Sequence, residues 1–230
     1  WSSDVCSSDL NDSNSIWNKK YPDWAGRNAK GYLLQKNKFY WWNALHPGPQ
    51  QFLRELVEEI VSRYDIDGIQ GDDRLPAMPS EGGYEASTIA AFMKQGGDQQ
   101  AVLNSKQENW LQWRSDRLSA FGRELYHLVK QLKPSVWVTW SPSIYPWCKQ
   151  EYLQDWPAWL RDGYADYVFP QLYRYNAAAY EQLLKDLNSQ IPAEQRRKIF
   201  PGVLTSLGDG YQADRTLLDR FIELNRSYGY

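Results

Sequence analysis

Four short apolar runs separated by helix-period segments constrain this chain more than any other feature. Residues 66–71, 136–142, 166–173 and 198–204 are each too short for a helix and are rich in β-branched or aromatic residues. Amphipathic segments precede and separate them. Phe52, Leu53, Leu56, Ile60 and Val61 recur at three- and four-residue spacing over 49–64, and Trp110, Leu111, Trp113, Leu118, Phe121, Leu125, Leu128, Val129 and Leu132 do so over 108–132. Further helices are expected over 85–94, 152–162, 177–187 and 214–226, with residues 11–49 and 206–211 as loops and 95–106 as a polar linker. Connections of helical length between strands are what parallel pairing requires. The expected class is therefore α/β with βα units in series.

The first run ends abruptly in Asp72-Asp73-Arg74-Leu75-Pro76, residues that cannot continue a buried strand. In a parallel sheet or barrel, acids at the C-terminal end of a strand stand at the mouth, where loops converge on a site. Strand alternation puts Gln70 and Asp72 on one face and Ile69 on the other, so Asp72 is expected toward the mouth and Ile69 toward the helices. A solvated Asp-Asp-Arg turn with a local ion pair is the plainer alternative. Trp140, Tyr145, Trp147, Gln171, Tyr173 and Asn43 also fall at or near expected strand ends and are candidate substrate contacts. Trp140 reads almost as well as a core ring. Arg74 could steer a substrate carboxylate, but neutralising Asp72 or Asp73 is the favoured role.

Composition narrows the chemistry. Of 230 residues 42% are hydrophobic and 23% charged, enough for one substantial domain. A net charge of -2 and a pI near 5.8 give no basic field for nucleic acid, and no apolar stretch is long enough for a membrane span. Two cysteines, Cys6 and Cys148, and two histidines, His46 and His127, leave little material for a disulfide framework, a metal centre or a Ser-His-Asp triad. No metal and no cofactor are expected, and carboxylate chemistry becomes the default. Twelve Trp and 16 Tyr against 7 Phe favour rings with a polar edge, the kind that line sugar-binding clefts; a large core with such rings at its rim is the alternative. Residues 1–10, with their near-repeat of Ser-Ser-Asp, look like translated sequencing-adapter read-through and are set apart from a domain over 11–230.

The segment Tyr-Asp-Ile-Asp-Gly-Ile-Gln-Gly-Asp-Asp at 64–73, preceded by Asn-Ala-Leu-His-Pro at 43–47 and followed by Phe-Pro-Gln-Leu-Tyr at 169–173, resembles the bacterial glycosyl-hydrolase-like family ten. The resemblance implies a TIM (β/α)₈ barrel, present here as an incomplete fragment of about the fourth to seventh βα units. It also implies glycosidase activity on a polysaccharide or oligosaccharide, in some members the glycan strands of peptidoglycan, and a cell-envelope or secreted location. In barrel glycosidases a strand resembling Asp67 to Asp72 delivers a nucleophilic or electrostatic carboxylate at its last position, which makes Asp72 the first catalytic candidate and Asp73 the second. Such hydrolysis uses two carboxyl groups roughly 5 to 9.5 Å apart, and adjacent strand residues point oppositely, so these two are not expected to be that pair. The other strand ends carry no acid. Glu81, Asp23 and Asp209 are loop candidates for the partner. A non-catalytic carbohydrate-binding protein on the same scaffold is the alternative, while deacetylase or amidase chemistry lacks metal ligands.

Overall fold

The computed structural model describes residues 15–208 and 210–230; segment 1–10 lies outside them. In chain order the elements are α1 (Ile16–Lys20), the antiparallel hairpin of β1 (Gln35–Lys36) and β2 (Phe39–Tyr40), α2 (Pro47–Arg63), β3 (Gly68–Gly71), α3 (Ala86–Lys94), α4 (Glu108–Leu132) and β4 (Trp137–Trp140). There follow α5 (Trp147–Tyr152), α6 (Trp156–Arg161), β5 (Tyr167–Val168), α7 (Ala177–Gln190), α8 (Ala193–Arg196), the hairpin of β6 (Ser206–Leu207) and β7 (Tyr211–Gln212), and α9 (Arg215–Tyr228).

Each long helix begins and ends where its sequence dictates. The His46 ring accepts from the Gly48 amide at the start of α2, Asn176 Oδ1 caps α7 through Ala179, and Asp214 Oδ1 caps α9 through Leu217. Gly229 closes α9 in the left-handed conformation at φ 88°. The stripe α2 buries is Val57 and Val61, with Leu53 partly buried against the core; Leu56, expected inside, is 38% exposed. The helix expected over 152–162 is shortened to α6, because Leu153 turns left-handed at φ 62° and α6 starts only at Trp156 with Pro157 in its first turn; α5 falls on residues after β4 that read as loop.

Strands β3, β4 and β5 form a parallel sheet in sequence order, with Gly68 opposite Trp137, Gly71 opposite Trp140, and Trp140 opposite Val168. The fourth expected strand, 198–204, is reduced to two parallel bridges, Ile199 to Val168 and Gly202 to Gln171. Pro170 and Pro201 lack the amides a continuous ladder would use. Among the described residues the sheet does not close into a barrel. One face is the core: Val138, Trp140 and Val168 pack with Phe121, Leu125 and Val129 of α4 and with Trp156 and Trp159 of α6. The other face carries Gln70, Trp137, Thr139 and Tyr167. Trp137 stacks on Tyr167 with ring centres 4.5 Å apart, and Phe200 meets Tyr167 at 5.3 Å, yet Trp137 remains 44% and Phe200 47% exposed.

Candidate active site

The end of β3 is shaped by a close approach. A Cβ on Gly71 would lie 2.5 Å from the Trp140 ring and 2.4 Å from the Leu75 carbonyl, so only glycine lets the chain turn directly from strand into acids. Asp72 Oδ1 then accepts from the Arg74 amide at 2.8 Å, a local turn that leaves Asp72 exposed. Asp72 thus holds the start of the loop. Asp73 is the partly enclosed one. Burial pushes its carboxyl above the usual aspartate range, the adjacent Asp72 charge adds to this, and Arg74 opposes it. Asp73 in turn helps raise the phenols of Tyr152 and Tyr173, for both of which burial is the larger cause.

The loop beyond the acids is tied to the end of α5: the Met78 amide donates to the Tyr152 carbonyl at 3.1 Å and the Ser80 amide to the Glu151 carbonyl at 2.9 Å. Behind it, fully buried Arg114 of α4 donates to the carbonyls of Ser80, Gly82, Ser105 and Trp110 and lies 4.5 Å from the Trp110 ring centre. Burial lowers its guanidinium to about 10, and the charges of Tyr84, Glu81 and Glu85 oppose that only in part.

In front of the loop stands the β1–β2 hairpin, which residue patterning left as loop. Asn37 and Lys38 take φ 54° and 68° at its tip. Lys36 Nζ bonds Glu81 at 3.0 Å and Glu151 at 2.7 Å, and Glu151 also pairs with Lys106. Asn37 Nδ2 donates to the Tyr152 hydroxyl at 2.7 Å, and the Arg74 guanidinium lies 4.0 Å from the Phe39 ring centre. Arg74 is therefore shared between the acids and the hairpin.

The loops after β4 and β5 line a cleft of about 580 Å³ whose wall includes Ser143, Tyr145, Trp147, Gln171, Tyr173 and Arg174. Four expected contacts, Tyr145, Trp147, Gln171 and Tyr173, are brought together there. Gln171 Nε2 donates to the Ser141 carbonyl at 3.1 Å, which orients the amide toward the loop after β4. Trp147 is 46% and Tyr173 43% exposed. Neither acid lines this cleft, though the Asp73 charge acts on Tyr173, which does.

Two expected contacts lie elsewhere. Trp140 is 2% exposed on the helix-facing side of the sheet, with Nε1 donating to the Tyr164 carbonyl, because its parity is that of Val138 and not of Thr139. Asn43 is 1% exposed and donates to Glu85 at 2.8 Å and to Thr88 at 3.2 Å; that network binds the N-terminal segment to α3, and burial raises Glu85. Among the loop acids, Glu81 reaches the mouth, where its charge also acts on Tyr152. Asp23 sits 3.7 Å from His46 beside α2, and Asp209 lies outside the described residues. Cys148 is buried and Cys6 lies outside the described residues. No group of three or more His, Cys, Asp or Glu side chains among the described residues is placed to hold a metal ion, and no described helix is long and apolar enough to cross a membrane.

Sequence comparison matches residues 7–207 to the family described as Glycosyl hydrolase-like 10. The glycosyl hydrolase YngK of Bacillus subtilis (strain 168) is 27% identical over 188 residues, 72% of this chain and 33% of that protein. The glycosyl hydrolase DigH of Escherichia coli (strain K12) is 27% identical over 158 residues, 60% of this chain and 34% of that protein. The chain spans about a third of the length of the curated relatives it matches. With a parallel βα sheet, acids at a strand end and a family match over most of its length, the chain belongs to the glycosyl hydrolase-like 10 family.

Proposed function

We propose that this chain carries the carboxylate site of a glycoside hydrolase acting on a bacterial polysaccharide, with peptidoglycan glycan strands as the first substrate class to test. The observation that supports it most is the partly enclosed Asp73 at the end of β3, its carboxyl raised by burial and by Asp72, next to a cleft walled by Tyr145, Trp147, Gln171 and Tyr173. A carboxyl that burial makes hold its proton more tightly is suited to protonate a departing glycosidic oxygen, while exposed aromatic rings offer their faces to pyranose rings. In this scheme Asp73 is the proton donor. Asp72 supplies negative charge near the positive centre that develops at the anomeric carbon. Glu81, held by Lys36 at the same mouth, is the further carboxylate to consider as nucleophile or base. The scaffold we propose is a (β/α)₈ barrel whose fourth to seventh units lie in this chain; the exposed aromatic face of the sheet, Trp137, Tyr167 and Phe200, would be barrel interior.

The test is turnover of denuded peptidoglycan strands and of plain α- and β-glucans by the full-length protein. Asp73→Asn and Asp72→Asn are each expected to lose on the order of a hundredfold or more in kcat on a substrate the parent cleaves. Near-normal turnover by both variants would make this strand end structural. If the parent binds these glycans and cleaves none, the chain is a carbohydrate-binding protein instead.

A further inference from the structure

The cleft lined by the loops after β4 and β5 contains one cation and one carboxylate, and the two are not paired with each other. Arg174 is the single Lys or Arg among the described residues that line it, and Asp186 of α7 is the single acid. Asp186 accepts from Gln182 Nε2 at 2.8 Å within its own helix. Arg174 Nη1 donates to the carbonyl of its neighbour Tyr173 at 2.7 Å, and among the described residues its guanidinium forms no ion pair. A guanidinium fork carries more donors than that one local bond uses. The rings around it are braced from behind: Trp147 lies 5.4 Å from the Tyr152 ring centre, and Tyr145 meets Trp156 edge-on at 6.0 Å. Trp147 and Tyr173 nevertheless stay nearly half exposed.

We propose that Arg174 is a specificity-determining residue that binds a carboxylate carried by the sugar in this cleft, so that the glycan this chain handles is an acidic one. The assignment rests on the cleft being the glycan cleft of the hydrolase proposed above. Its chemistry divides between two kinds of group. The exposed rings of Trp147 and Tyr173 take the apolar face of a pyranose, and the guanidinium fork takes both oxygens of a carboxylate through parallel N–H bonds, a geometry that a hydroxyl cannot match. The bond from Arg174 to the Tyr173 carbonyl ties the cation to the segment that carries the ring, so adjacent residues read the sugar face and its charged substituent. Asp186 repels a carboxylate from the α7 side of the cleft, and the two unpaired charges together favour one orientation of the ligand. The carboxylate has two sources: the C6 acid of a uronic acid ring, or an acid on an ether substituent such as the lactyl group of peptidoglycan strands. Both present the same group to the fork.

Affinity electrophoresis of the full-length protein in gels that contain a glycan reads binding without turnover. The probes are denuded peptidoglycan strands beside the same strands with their lactyl carboxylates reduced to alcohols, and polygalacturonate beside its methyl ester. The parent is expected to bind at least one acidic polymer about tenfold or more tighter than its neutral counterpart. A preference confined to the strands places the carboxylate on the ether substituent, and one confined to polygalacturonate places it on the ring. In Arg174→Gln the preference should fall to about twofold or less with binding of the neutral counterpart unchanged, while Asp186→Asn should keep it. Equal binding of acidic and neutral polymers by the parent, a preference that survives Arg174→Gln, or one lost in Asp186→Asn alone overturns the proposal. Should Arg174→Gln lose its fold by circular dichroism, Arg174→Ala decides by the same criterion. Turnover separates the two levels. A parent that binds and cleaves acidic and neutral forms equally keeps the hydrolase and loses the role of Arg174, whereas a parent that binds and cleaves none of these glycans removes both.

Discussion

Asp73 and Arg114 are two partly or wholly buried charges solved in opposite ways. Asp73 keeps its position at a cost: burial and the Asp72 charge favour its neutral form, so the folded chain holds that proton more tightly than the unfolded one. The sign follows. Below the ordinary aspartate value of 3.8 both states are protonated and the residue is neutral in its effect on stability; as pH rises from there the unfolded state ionises first, so stability falls until the folded midpoint is passed and stays lower above it. Asp73→Asn is therefore expected to raise the melting temperature at pH 7, with the gain vanishing below about pH 3.8, measured by thermal unfolding across pH. A lower melting temperature at pH 7 would show that the carboxylate is stabilised by contacts instead. Arg114 also meets a burial that disfavours its charge, but four carbonyls accept from its fork and hold the charged form in place. Arg114→Ala leaves those acceptors buried and unpaired and should cost about 3 kcal/mol or more by chemical denaturation. Lysine, a single point charge without the fork, should recover little of it.

At the scale of elements, the mouth is built from three pieces distant in the chain: the β3 end, the β1–β2 hairpin and the loop after β4. Gly71 couples the first and last, because Trp140 of β4 fills the space of its missing side chain. Gly71→Ala is expected to destabilise by about 2 kcal/mol or more and to disturb the acids with it, since either the Trp140 ring or the Leu75 carbonyl has to move. A stability within about 0.5 kcal/mol of the parent would show that the turn accommodates a methyl group. The hairpin carries a milder strain. Lys38 adopts φ 68° where glycine would be unstrained, so Lys38→Gly should stabilise by about 0.5 to 1 kcal/mol in the same measurement. A loss instead would assign Lys38 a contact worth more than its backbone strain.

Across the whole molecule, the feature that stands out is a sheet with one packed face and one wet aromatic face. Trp137, Tyr167 and Phe200 form a contiguous ring ladder that water reaches at both ends, beside parallel strands whose edges are short. The 230-residue chain by itself is expected to associate with rising concentration in sedimentation velocity, and Trp137→Thr should reduce that association; a monomer throughout would show that this face is stable in water. The same view shows what was legible in advance. Apolar spacing alone determined the longer helices α2, α4, α7 and α9, placed β3, β4 and β5 in parallel order, and located Asp72 and Asp73 at a strand end, because periods of two and 3.6 residues are local properties of the backbone; it left α1 and α5 as loop. The late start of the helix expected over 152–162 and the reduction of the run over 198–204 to two bridges depended on one left-handed residue and two prolines. Only tertiary structure decided that Asp73 and not Asp72 is enclosed, that Trp140 turns into the core and Asn43 into a buried clasp, and that Asn37 meets Tyr152. Those outcomes depend on contacts between residues up to 115 positions apart, and no pattern within a single segment encodes which distant ring or amide will arrive beside it.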